Sequence, residues 1–171
     1  PQFHPAARVA LVNHHIQLAA RYADVIITIS NRVREELLDQ FNLAPERVRV
    51  TYLAADPGFT PLSAASWASQ VHATQGAAGQ KAPAYRGYFL STSTLEPRKN
   101  LDRLLDAYAA YRQEVDDEPL PLYLTGTTGW KSEAVQKRLG ELAGSDGIRY
   151  LGYVPRNSLP LLMAGAKALL F

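Results

Sequence analysis

Tyr88-Phe89-Leu90-Ser91-Thr92 is a β-prone run. It gives way to the polar break Glu96-Pro97-Arg98-Lys99-Asn100, and then to Leu101, Leu104, Leu105, Tyr108 and Tyr111 on one helical stripe. The stretch reads as strand, turn and helix, and the same unit recurs downstream. Residues 120–125 form a strand ending at Gly126, and 131–143 a helix with Val135, Leu139 and Leu142 inward. Residues 148–151 form a strand ending at Gly152, 158–165 a short helix, and Ala168 opens another strand. Strands alternating with helices in this order predict an α/β fold, a Rossmann-like parallel sheet with right-handed crossovers.

Upstream the pattern is similar. Val9, Val12, Ile16 and Ala19 keep helical spacing, so 6–22 reads as an amphipathic helix. Val25-Ile26-Ile27-Thr28-Ile29 has the composition of a strand buried on both faces. Ser30 or Asn31 caps a helix with Val33, Leu37, Leu38 and Phe41 on its apolar face, and 48–53 is a second short strand. Asp56-Pro57-Gly58 and Pro61 then break the pattern. Residues 63–84 are rich in Ala, Ser, Gln and Gly and hold one charged residue, Lys81, which reads as a linker. Three regions follow: 1–55, the end of a first Rossmann-like domain; 56–84, an interdomain linker or mobile loop; and 85–171, the first half of a second domain.

Composition excludes several classes. The chain is 47% apolar and 20% charged, as a folded globular protein should be. Eighteen basic residues against 16 acidic ones give a net charge of +2, too balanced for a nucleic-acid partner held by bulk electrostatics. No cysteine is present, which removes disulfides and thiolate chemistry and permits a cytoplasmic setting. No apolar run approaches a membrane span, and the first 18 residues lack the apolar core of a secretory signal. His14 and His15 are adjacent and face different sides of their helix, so no metal site is expected there. Trp130, Tyr108 and Tyr111 read as packing residues.

Chemistry concentrates between the strand at 88–92 and the helix at 101–111. Ligands of open parallel sheets bind beyond the carboxyl ends of the strands, and a helix start offers unpaired N–H groups to anions. Pro97 suits a first helical turn. Arg98 and Lys99 add a planar fork of donors and a movable point charge, a pair suited to a diphosphate. Residue chemistry alone leaves two readings in balance: a phosphate seat, or two solvated charges. Gly126 and Gly129 read as a tight turn rather than a dinucleotide fingerprint, and Tyr153 and Val154 are equally strand-end core or ligand contacts.

Thr94-Leu95-Glu96-Pro97-Arg98-Lys99-Asn100-Leu101 resembles the turn that opens the second domain of family 4 glycosyltransferases, especially the mannosyltransferase-like branch. Further segments are similar in family order: Tyr22 to Ser30, Tyr52 to Pro61, Leu124-Thr125-Gly126 with Gly129-Trp130, Leu151-Gly152-Tyr153-Val154-Pro155, and Ala164-Gly165-Ala166. The resemblance implies a two-domain GT-B architecture and a retaining transfer of a sugar, mannose favoured, from a nucleotide-sugar donor to a glycan or lipid-linked acceptor. It implies that Lys99 and Arg98 bind the donor diphosphate, with Thr94 standing where the family more often has arginine. Gly126 then forms the donor-site turn, and Tyr153 and Val154 meet the nucleotide base. No cofactor or metal is expected, and no nucleic acid. The family's catalytic glutamate pair is expected beyond Phe171, so no catalytic residue is assigned within the chain, which reads as the middle of a longer protein. The whole enzyme is expected to be cytoplasmic, with peripheral membrane association allowed. An open sheet edge also invites self-association. Two rival readings share these residues: a non-catalytic nucleotide-binding or assembly module, and a sugar-nucleotide epimerase on the same architecture.

Overall fold

The computed structural model describes residues 4–74, 84–142 and 147–171, which fall into two compact units, Pro1–Asp56 and Pro57–Phe171. The first unit holds α1 (Ala6–Tyr22), β1 (Ile26–Thr28), α2 (Asn31–Phe41) and β2 (Val48–Val50), with β1 and β2 parallel and Ile26 opposite Val48. Ser30 caps α2: its Oγ accepts from the Val33 N–H at 3.2 Å, satisfying one of the helix's orphan donors. Asn42, in the left-handed region at φ 49°, ends that helix. Arg47 ties β2 to the end of α1 by donating to the Ala20 and Ala23 carbonyls at 2.9 and 2.6 Å. Within the residues of this segment β1 is covered on one face. Thr28 and Val48 are buried, while Ile27 is 69% exposed, with Val25 and Ile29 also exposed. The reason is period-2 geometry: α2 packs on the β1–β2 pair, and the alternate residues point the other way.

The second unit holds α3 (Ala64–Thr74), β3 (Phe89–Thr92), α4 (Leu101–Glu114), β4 (Leu122–Thr125), α5 (Glu133–Leu142), β5 (Ile148–Tyr150), α6 (Leu159–Gly165) and β6 (Ala168–Leu169). Its four strands are all parallel, in the order β5-β4-β3-β6. The pleat sends alternate residues to two cores. Leu122 and Leu124 join Leu101, Leu105, Tyr108, Val135, Leu139 and Ile148 beneath α4 and α5. Tyr123 and Leu90 join Tyr88, Trp67 and Val71 beneath α3 and α6. All four residues of β4 are buried, as a central strand covered on both faces requires. Tyr88, fully buried, stacks on Tyr123 at 4.8 Å and donates to the Leu162 carbonyl at 2.5 Å. Burial, and next the neighbouring Tyr123 phenol, push its pKa upward, so it stays a neutral donor.

The linker expected over 56–84 is, in its described part, largely a helix. Ser63 caps α3, its Oγ accepting from the Ser66 N–H at 3.1 Å. Trp67 then anchors the helix: its indole N–H donates to the Leu161 carbonyl at 2.9 Å, and its ring lies against Gly165 in α6. Trp67 and Val71 are the buried residues of this helix, while Ala64, Ala65, Ser66 and Ser69 are exposed. Residues 75–83 of the expected linker, and residue 143 of the expected α5, lie outside the described residues.

Candidate functional site

The sheet order places the site. Running from β3 to β4 to β5, the chain builds outward in one direction; β6 then pairs with the opposite side of β3. This reversal marks the carboxyl end of β3 as the switch point, where open α/β sheets take ligands.

Three strand-end loops are laced together at this edge. The Ser93 N–H donates to the Thr125 carbonyl and the Leu95 N–H to Thr127, both at 2.9 Å, and the Gly129 N–H returns to Leu95 at 3.0 Å. The Gly126 N–H and the Thr125 hydroxyl both donate to the Gly152 carbonyl at 2.8 Å. The Tyr150 hydroxyl donates to the Gly126 carbonyl at 2.8 Å. The ladder thus outruns the strands and holds the loops in fixed register. Gly126 makes this approach possible. Its φ is 147°, and a Cβ there would lie 1.9 Å from the Ser93 carbonyl oxygen. Gly129 plays a similar part beside Thr94, whose methyl group would be 2.6 Å from a Cβ at that position.

From this anchor the chain turns toward α4. Leu95 is buried, and Pro97–Lys99 makes one 3-10 turn, closed by the Lys99 N–H on the Glu96 carbonyl at 3.0 Å. Asn100 then adopts the left-handed conformation at φ 51°, and α4 begins at Leu101. Pro97 therefore does not stand in the first turn of α4, as its residue type suggested. Arg98 and Lys99 sit on a separate turn ahead of that helix. Their surroundings differ. The Arg98 guanidinium pairs with the Glu96 carboxylate inside the turn. The Lys99 side chain is exposed, with no hydrogen bond or ion pair among the described residues. Asp102, the acid in the first turn of α4, is engaged by Arg138 of α5, which also pairs with Asp106. The hydrogen bond that Arg138 donates to the Asp106 carboxylate is the main cause raising its pKa above the usual arginine value.

The structure brings Thr94 and Gly126 to the edge that carries Lys99. Tyr153, 69% exposed, follows Gly152 on the same edge. Val154 is half-buried and lines a small apolar cleft of about 150 Å³ with Trp67, Val71, Leu151, Leu161 and Leu162. Glu96 was not singled out from the sequence, and Gly129 was read there only as part of a tight turn. The first was legible as an acid two residues before an arginine, the second as a glycine facing the β3 turn. Among the described residues no group of three or more His, Cys, Asp or Glu side chains is placed to hold a metal ion, and no helix is long and apolar enough to cross a membrane.

No family model matches the chain. Over all 171 residues it is 32% identical to O-antigen chain mannosyltransferase B of Escherichia coli, and it spans 43% of that protein. In three dimensions it superposes on Anabaena Alr3699/HepE, solved in complex with UDP and glucose, with a TM-score of 0.64 over 92% of this chain and 40% of that one, at 19% identity. The chain has the α/β fold of GT-B glycosyltransferases. Staphylococcus aureus TarM matches this GT-B segment with a TM-score of 0.59 over 88% of it and 25% of TarM, at 13% identity. The pneumococcal O-GlcNAc transferase GtfA, solved with UDP and GlcNAc, gives 0.51 over 77% of the segment and 22% of GtfA, at 18% identity. The GT-B segment thus spans less than half the length of each of these relatives.

Proposed function

We propose that the protein carrying this segment is a retaining glycosyltransferase that uses a nucleotide-sugar donor, and that the turn between β3 and α4 seats the donor's diphosphate. One observation carries the proposal. Lys99 stands unpaired at the carboxyl end of the strand beside the switch point, on a turn pinned by the β4 loop. Negative charge develops on the departing diphosphate as the glycosidic bond breaks. The Lys99 ammonium and the start of α4 stabilise that charge more in the transition state than in the bound donor, which is what accelerates transfer. Thr94 and Gly126 border the seat, and Tyr153 offers an exposed ring toward the nucleotide base.

Mannose is the favoured sugar and GDP-mannose the favoured donor, with a glycan or lipid-linked acceptor. The mannosyltransferase-like turn at 94–101 and the name of the 32%-identical relative support this choice. Replacing Lys99 with Ala removes a charged contact, and affinity of the whole protein for GDP or UDP should fall about 5- to 140-fold, equivalent to roughly 1–3 kcal/mol. Calorimetry on the wild type and Lys99→Ala makes the comparison, and equal affinities would refute the assigned role. Product analysis with GDP-mannose separates transfer to an acceptor from epimerised donor.

A further inference from the structure

We infer that Arg98 does not bind the donor but silences Glu96, leaving Lys99 as the turn's working cation; this rests on the diphosphate seat proposed above. The two ends of one turn create the need. Glu96 gives its backbone carbonyl to the Lys99 N–H at 3.0 Å, so its carboxylate and the Lys99 ammonium belong to the same short turn. The Glu96 side chain is only 15% exposed, a carboxylate set into the wall of a site meant for an anion. Left alone it would repel the diphosphate and compete with it for Lys99. The Arg98 guanidinium pairs with it from two residues away, while the Lys99 side chain has no partner among the described residues. Arg98 is thus a positioning residue: it cancels one negative charge and keeps its neighbour available.

Charge arithmetic makes the role testable, because a positioning arginine and a donor-binding arginine respond in opposite ways to the loss of Glu96. The experiment measures GDP and UDP affinity of the whole protein for wild type, Lys99→Ala, Arg98→Gln, Glu96→Gln and the double variant Glu96→Gln/Arg98→Gln. Circular dichroism checks that each variant is folded. An uncancelled unit charge near the phosphates is expected to weaken binding of Arg98→Gln by about 3- to 10-fold. Glu96→Gln should bind at least as tightly as wild type, and the double variant should return to the wild-type value. If Arg98 touches the diphosphate, the double variant stays as weak as Arg98→Gln, and the inference is overturned while a weakened Lys99→Ala still upholds the seat. If wild type binds neither nucleotide, or Lys99→Ala binds as wild type does, the seat itself falls and the inference with it.

Discussion

Gly126→Ala is expected to destabilise the Pro57–Phe171 unit by about 3 kcal/mol or more and to weaken nucleotide binding with it. Two independent costs add. The backbone at φ 147° is one that side-chain-bearing residues rarely adopt, and the new Cβ would fall 1.9 Å from the Ser93 carbonyl oxygen, 2.6 Å from its carbon and 3.3 Å from the Thr94 nitrogen. All three are backbone atoms, so no side chain can swing aside. Relief requires parting the β3 and β4 loops, which breaks the hydrogen bonds from Ser93 to Thr125 and from Leu95 to Thr127. That register holds the turn carrying Lys99, so stability and affinity should fall together. A drop of about 10 °C or more in melting temperature is expected. Gly140→Ala is the internal control. Gly140 lies within α5 with nothing within 4 Å of a new methyl group, and the same substitution there should stabilise by about 1 kcal/mol. Similar melting temperatures for the two variants would refute the steric account of Gly126.

Trp67→Ala is expected to cost about 3–5 kcal/mol, the range for truncating a large buried aromatic. Trp67 is 4% exposed, donates its indole N–H to Leu161, and fills the surface left by Gly165, where a Cβ would come within 2.2 Å of the indole nitrogen. Removal opens a cavity between α3 and α6 and strands the Leu161 carbonyl. The urea unfolding midpoint should fall sharply, and the apolar cleft shared with Val71, Val154 and Leu162 should open. A loss below about 1 kcal/mol would mean that α3 is a peripheral tether and not part of the core.

These two residues mark where the sequence was readable and where it was not. The β3–turn–α4 unit was legible because its signals agree: a β-prone run, a proline break, and apolar residues at helical spacing from Leu101 to Tyr111. Gly126 was legible as a turn, but its steric necessity depends on Ser93 of another loop, a contact no local pattern encodes. α3 was hidden because alanine and serine serve both linkers and closely packed helices. Ser63 three residues before Ser66, and Trp67 four before Val71, were the signals available. The separate roles of Arg98 and Lys99 depend on a 3-10 turn and a left-handed Asn100, conformations that residue types permit without requiring.

The most direct test of the account is a crystal structure of the whole protein with GDP or UDP bound. A phosphate oxygen is expected roughly 2.7–2.9 Å from the Lys99 ammonium, with the diphosphate against the 93–100 loop and the Arg98 guanidinium still on Glu96. A diphosphate seated away from that loop, with Lys99 left in solvent, would contradict it.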